Sequence, residues 1–338
     1  MKISFLVTYY NQKEYVRESI ESILALRKPP EWELLVGDDG SEDGTAKFIE
    51  TYIAQDPIHI SLYVMPREKG VKYDSVRRAS ANRLNLLRHS TGDCFCVLDG
   101  DDYYCDEKFV TEAIDILQTH ADVSVVSYGY KKFGAGKNDI DCLLTGEKSG
   151  YMDTENFISE KYLPSGTGVH RIDWKRLEKI EKEGWFDDSN ILMNSLSFGR
   201  MYYIDRVVYA YRQTGESLYS SMSPIEQAVL NVQSYDIDNI ITEGKYNKSL
   251  LKRYAGPIMI LFYWRDRIGK ELGDEKKERY LRNSELMEKS LSVDLLTYSF
   301  LTNEKRKNIK DLVRQLESSF PKYALKLRLE RMLGMQPR

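Results

Sequence analysis

Apolar and polar positions fall into two regimes along this chain. Up to about Tyr130, short apolar runs alternate with stretches whose apolar residues recur at every third or fourth position. Ile3 to Val7, Glu33 to Val36, Ile58 to Val64, Cys94 to Leu98 and Val123 to Ser127 read as strands. Between them, Val16, Ile20, Ile23 and Leu24 mark one helical face, Ala46, Ile49 and Ile53 a second, and Val76, Ala79, Leu84 and Leu87 a third. Asn11 and Glu14 have capping-box spacing for the first of these helices, and Lys28-Pro29-Pro30 stops it. Strands alternating with helices predict an α/β fold with a mostly parallel sheet and helices on its faces. Ligands of such sheets bind beyond the carboxyl ends of the strands.

The second regime begins near Ser223. Met201 to Ile204 and Val207 to Tyr211 still read as two short strands, with the glycine-rich stretch Gly134 to Gly150 before them as a boundary or mobile loop. Beyond Ser223 the pattern is helical and rich in Lys, Arg and Glu. Leu250, Tyr254, Ile258, Leu261 and Phe262 form one stripe, and Leu291, Leu295 and Leu296 another. The expected division is residues 1–220 as one domain and 221–338 as a helical C-terminal region. The final run, Tyr323 to Leu333, is basic and amphipathic. It suits packing on the rest of the protein, a homodimer contact, or an anionic bilayer surface.

Candidate chemistry sits where the strands end. Thr8-Tyr9-Tyr10, Asp38-Asp39-Gly40-Ser41 and Asp99-Gly100-Asp101-Asp102 should meet on one edge of the sheet. Closely spaced carboxylates suit Mg or Mn, whose other positions go to water and phosphate oxygens. A solvated acidic turn leading to a helix capped by Asp106 is the other reading of the last cluster. No GxGxxG follows the first strand and no Walker sequence occurs, so a glycine-cradled phosphate is disfavoured. The net charge of −3, with both signs interleaved, gives no reason to expect nucleic acid. The four cysteines lack zinc spacing and read as reduced thiols, which fits a cytoplasmic location. Met1 runs straight into strand-like residues, so no signal peptide is expected, and the apolar run Pro257 to Trp264 is too short to span a bilayer.

These residues carry a resemblance. Val7-Thr8-Tyr9-Tyr10-Asn11, then Gly37-Asp38-Asp39-Gly40-Ser41-Glu42-Asp43-Gly44-Thr45, then Leu98-Asp99-Gly100-Asp101-Asp102 resemble, in order and spacing, the family 2 glycosyltransferases of the Rossmann-like GT-A fold. One departure is Thr8, where the family usually has Pro. The resemblance implies nucleotide contacts from Thr8, Tyr10, Asn11, Asp39, Arg83, Asp99 and Gly100. Tyr10 would lie against the base and Asp39 would accept the uracil imide. Asp101, assisted by Asp102, would hold a Mn or Mg ion on the diphosphate. Leu163 to Arg171 resembles the family's acceptor-side segment, which would bring Gly168 and His170 to the acceptor or phosphates. His170 is also open to a metal-ligand or a structural reading.

Asp187-Asp188 stands where the family has Glu-Asp before a helix, so Asp188 would be the catalytic base beside Asp187; both acids also suit a helix N-terminus. Arg212-Gln213-Thr214-Gly215-Glu216-Ser217 departs from the family's YRxHxxS by placing Thr214 where a His is usual, while Arg212 could still neutralise the leaving diphosphate. The resemblance thus implies a metal-dependent, inverting transfer from a UDP-sugar to a saccharide or glycolipid acceptor in cell-surface polymer synthesis. Peripheral contact with the inner face of a membrane remains open. A non-catalytic nucleotide-sugar-binding protein is the alternative, and a nucleotidyltransferase is a weaker one because residues 7–11 hold no basic phosphate-gripping loop.

Overall fold

The computed structural model describes every residue except 72, 135, 137, 172, 177, 179–185, 215–218, 220, 275, 276, 279, 280, 282–289 and 338. The chain divides into two compact units, Met1–Phe157 with Lys161–Ser217, and Ile158–Glu160 with Leu218–Arg338.

The first unit is built on β1 (Ile3–Tyr9), which pairs in parallel with β2 (Trp32–Asp38) on one side and β4 (Cys94–Asp99) on the other. β3 (Ile60–Val64) extends the parallel ladder beyond β2. Across β4 the sheet turns mixed. β9 (Gly168–Arg171) runs antiparallel between β4 and β6 (Val123–Phe133), and β10 (Arg200–Arg212) pairs in parallel with β6. Short strands β5 (Tyr103–Tyr104), β7 (Ile140–Cys142) and β8 (Gly150–Tyr151) complete it. Strands buried on both faces must be apolar throughout. Ile3, Phe5, Leu6 and Val7 of β1, and Cys94 to Leu98 of β4, are accordingly all at most 5% exposed.

Register explains why the polar clusters meet. Thr8 lies opposite Gly37 on one side and Asp99 on the other, and Tyr9 lies opposite Asp38. Three strand tips therefore end level, and every residue just beyond them emerges at one edge. Gly100 belongs to this packing, because a Cβ there would fall 2.2 Å from the Tyr9 ring.

Several local expectations change. Asn11 and Glu14 do not cap the first helix, α1 (Val16–Ala25), whose N-cap position is Tyr15 with no side-chain cap. Asn11 instead has φ 51°, a left-handed conformation Asn tolerates, and its side chain accepts from Glu42 N–H at 2.9 Å. The two strands expected over residues 201–211 are one strand, β10, with irregular register between Ile204 and Val207. That irregularity lies beside Arg206, which pairs with Asp106 at 2.9 Å. Gly134 to Gly150 is not the unit boundary; it returns to the sheet through β7, and residues 135 and 137 within it lie outside the described ones.

Helices α2 (Thr45–Ile53), α3 (Ser75–His89), α4 (Phe109–Thr119), α5 (Thr154–Glu160) and α6 (Asp188–Phe198) follow in chain order. The second unit holds α7 (Pro224–Ile241), α8 (Asn247–Arg253), α9 (Ala255–Trp264), α10 (Ile268–Leu272), α11 (Leu291–Leu296), α12 (Asn303–Ser319) and α13 (Pro321–Met332), and Trp264 at the end of α9 is fully buried. The stripe expected from Leu250 to Phe262 is broken at Tyr254 into α8 and α9. α13 buries Ala324 and Leu327 within this unit and leaves Leu325 and Leu329 exposed. Among the described residues no helix is long and apolar enough to cross a membrane.

Candidate active site

The base-side corner begins with the loop after β2. Asp38 turns inward and accepts from Ser41 N at 3.0 Å, which tightens the loop and leaves Asp39 at its rim. The Asp39 carboxylate, 4% exposed, is clamped by two guanidinium groups. Arg67 donates to Oδ2 and, through Nε at 2.7 Å, to the Asp39 carbonyl, while Arg78 donates to Oδ1 at 2.5 Å. Arg67 also lies 3.8 Å over the ring of Tyr10, which is 45% exposed. Tyr10 and Asp39, expected together, are thus joined by one cation. Asn11 latches this corner: its N–H donates to Ser41 Oγ at 2.8 Å. Neither Arg67 nor Arg78 could be singled out from the sequence, since nothing in the spacing of either marks it as a partner of Asp39.

The acidic strand end resolves into three different carboxylates. Asp99 accepts from Arg83 at 2.7 Å and keeps partial access to solvent. Asp101 has its pKa lifted to about 6, first by burial and then by the charge of Asp99, against weaker opposing effects from Arg212 and Gln12. Asp102 is 2% exposed, and both of its oxygens are engaged inside the protein: Oδ2 by the Tyr209 hydroxyl and Oδ1 by Arg212 N–H at 2.7 Å. It therefore braces the loop, with each oxygen already accepting one hydrogen bond from β10. Arg212 donates from Nε to the Asp101 carbonyl at 2.7 Å and is held by Glu18. Gly215 to Ser217 of the expected Arg212–Ser217 motif lie outside the described residues.

The donor set fits a hard divalent cation. A partly buried carboxylate such as Asp101, raised by a like-charged neighbour, is a place where a cation would relieve repulsion. Among the described residues no group of three or more His, Cys, Asp or Glu side chains could hold a metal alone. A cation held by Asp101 would need its further ligands from water or phosphate oxygens.

The two acids after Trp185, a residue outside the described ones, do different jobs. Asp187 caps α6, accepting from Asn190 N at 3.2 Å in a reciprocal capping box, so its helix-terminus reading is the one observed. Asp188 opens the helix and turns toward the turn Ser165–Thr167, where its Oδ1 accepts from Ser165 N at 3.3 Å and from Ser165 Oγ. Burial raises its pKa, with Asp99 and Asp187 adding to the rise; Arg83 and Ser165 oppose it. Arg83 in turn has its pKa raised by Asp99, Asp188 and Asp187 against the effect of burial. Arg83 thus bonds the acidic strand end directly, and its charge is also felt at Asp188.

His170 is not on the acceptor or phosphate side. It is fully buried, with Nδ1 at 2.9 Å from Ser195 Oγ and Nε2 at 3.1 Å from the Ser165 carbonyl. Both ring nitrogens are engaged, which also excludes the metal-ligand reading. Gly168 is buried beside it, and a Cβ there would fall 2.7 Å from His170 Nε2. The glycine serves that close packing and offers no open backbone to a sugar. Ser165 and Tyr209 are the residues here that sequence reading overlooked, although Ser165 stood inside the stretch taken as acceptor-lining.

With this geometry in hand, comparison with known proteins adds the following. Residues 4–162 match the family described as Glycosyl transferase family 2. EpsE of Bacillus subtilis, whose designation as a glycosyltransferase is itself provisional, is 33% identical over 132 residues, covering 39% of this chain and 44% of that protein; the chain thus spans under half of this relative's length. Among solved structures, S. aureus TarS 1-349 in complex with UDP-GlcNAc superposes with a TM-score of 0.60 at 18% identity, covering 95% of this chain and 92% of that one. The mannosyltransferase PcManGT from Pyrobaculum calidifontis, in complex with GDP-Man and Mn2+, gives 0.51 at 16% identity over 98% and 86%. At these identities the two structures support the GT-A fold alone.

Proposed function

We propose, from the premise that this chain belongs to glycosyl transferase family 2 through residues 4–162, that it transfers a sugar from a UDP-sugar to an acceptor hydroxyl with inversion. The observation that carries this reading is Arg83, which bonds Asp99 at 2.7 Å and whose charge also acts on Asp188, so that a nucleotide-diphosphate corner and a carboxylate suited to act as base share one electrostatic environment. Tyr10 supplies a face for the base, and Asp39 accepts its imide N–H on a lone pair left by Arg67 and Arg78. Asp99 bonds the ribose. Asp101 would hold Mn or Mg, and the bound ion would supply positive charge at the diphosphate.

Asp188 takes the proton from the acceptor hydroxyl as that oxygen attacks the anomeric carbon. The bond from that carbon to the diphosphate oxygen breaks on the opposite face, and its electron pair leaves with UDP. Arg212, anchored beside Asp101, faces the developing negative charge. Saccharides and glycolipids of the cell surface are the acceptor class, reached from the cytoplasmic side.

The test is UDP release from a panel of UDP-sugars with Mn, with and without glycan acceptors. Asp188→Asn and Asp101→Ala should each lose about 10²–10⁴-fold in transfer while staying folded. Near-wild-type turnover in either variant removes that residue from the mechanism. Mn-dependent UDP binding without turnover of any UDP-sugar would favour a non-catalytic nucleotide-sugar-binding protein.

A further inference from the structure

We propose that Ser165 is a positioning residue for the base: it fixes Asp188 by Oδ1 and leaves Oδ2 as the atom that receives the acceptor proton. The proposal rests on the reading of Asp188 as that base. Two donors from one residue, the Ser165 N–H at 3.3 Å and its hydroxyl, converge on Oδ1, and no described residue hydrogen-bonds Oδ2. A carboxylate gripped at one oxygen by two donors has its plane set, so its second oxygen points in one direction.

The turn that presents Ser165 is itself built to be rigid. Thr167 closes it, donating from both N–H (3.0 Å) and hydroxyl (2.8 Å) to the Pro164 carbonyl. Beneath it, buried His170 spans the 3.1 Å to the Ser165 carbonyl and 2.9 Å to Ser195 Oγ, and Ser195 lies on α6, the helix that Asp188 opens. The turn and the base's own helix are therefore pinned to each other through one imidazole. On the other side, a Cβ at Gly166 would fall 2.4 Å from the Tyr209 ring, whose hydroxyl donates to Asp102. One short turn thus touches the support of the base and the support of the acidic strand end. Asp188 keeps partial access to solvent, so its second oxygen needs no partner from the protein. The remaining oxygen is the one left for chemistry.

The experiment compares Ser165→Ala, Ser165→Thr and Asp188→Asn, alone and in the Ser165→Ala/Asp188→Asn double variant. UDP binding by calorimetry and steady-state transfer are the readouts. Ser165→Ala should lower kcat about 10- to 100-fold with KM for the UDP-sugar and UDP affinity unchanged, and Ser165→Thr should restore most of it. In the Asp188→Asn background the same change should cost nothing further, because the group it orients is gone. A wild-type kcat in Ser165→Ala beside an inactive Asp188→Asn overturns the proposal alone. So does an equal loss with and without Asp188. Full turnover by Asp188→Asn overturns the reading of the base, and this proposal with it.

Discussion

His170 shows how one side chain can make a fold sensitive to acid. Burial holds its pKa down at about 4 against an ordinary 6.5, so between those values the unfolded chain binds a proton that the folded one refuses. Stability linked to this residue is complete above pH 6.5 and lost as pH falls toward 4, by on the order of 3 kcal/mol at most. Urea unfolding at pH 7 and pH 5 should therefore show a drop in the wild type that is reduced in His170→Gln, which keeps a hydrogen-bonding side chain but cannot titrate. An undiminished drop would assign the acid sensitivity elsewhere. Gly100 is a steric case. Gly100→Ala must push its methyl into the Tyr9 ring, and overpacking of this kind costs about 1–3 kcal/mol. Denaturant midpoints would read that loss, and UDP binding should weaken with it because Asp99 and Asp101 flank the displaced residue.

At the scale of elements, polar residues decide where helices begin more firmly than apolar periods do. α11 starts at Leu291 behind a local cap, Ser290 Oγ accepting from Val293 N–H at 3.1 Å, and a side chain distant in sequence provides for the rest of its end. Asp236, buried on α7, accepts from Leu291 N–H at 2.8 Å, Ser292 N–H at 2.9 Å and Ser290 Oγ at 2.8 Å. Free N–H groups at a helix start need such acceptors. Asp236→Ala should destabilise the helical unit by about 1–3 kcal/mol and speed amide hydrogen exchange over residues 291–296 first. Unchanged exchange there would show that the contact is dispensable. No spacing rule could have linked positions 236 and 290, since their meeting depends on how helices pack. The same limit applied to α1, where a sequence-local capping box lost Asn11 to a longer-range bond with the loop around Glu42.

For the whole molecule, the acidic strand end sets how ligand and metal act together. Asp99, Asp101 and Asp102 crowd like charge at the tip of β4 with Arg83 and Arg212 as nearby cations. A divalent ion should therefore raise the thermal midpoint together with UDP, more than UDP does in EDTA, since binding to the folded state alone stabilises it. Asp101→Ala should abolish that difference while leaving a metal-independent UDP shift from Tyr10 and Asp39. An equal UDP shift with Mn and with EDTA in the wild type would sink the metal assignment.

The sequence determined the alternation of strands and helices, the apolar strands hidden on both faces, and the three polar tips. These are local signals, written in periodicity and in runs such as Cys94 to Leu98. It also placed Asp39, Asp101 and Asp188 as candidates through resemblance. Only the tertiary structure decided which oxygens of those acids are spoken for. Asp102 is bound by Tyr209 and by Arg212, both more than a hundred residues away, and His170 is buried between Ser165 and Ser195. A residue's type and spacing state what it can bond, but its partner is chosen by the strand register and helix packing that bring distant segments within reach.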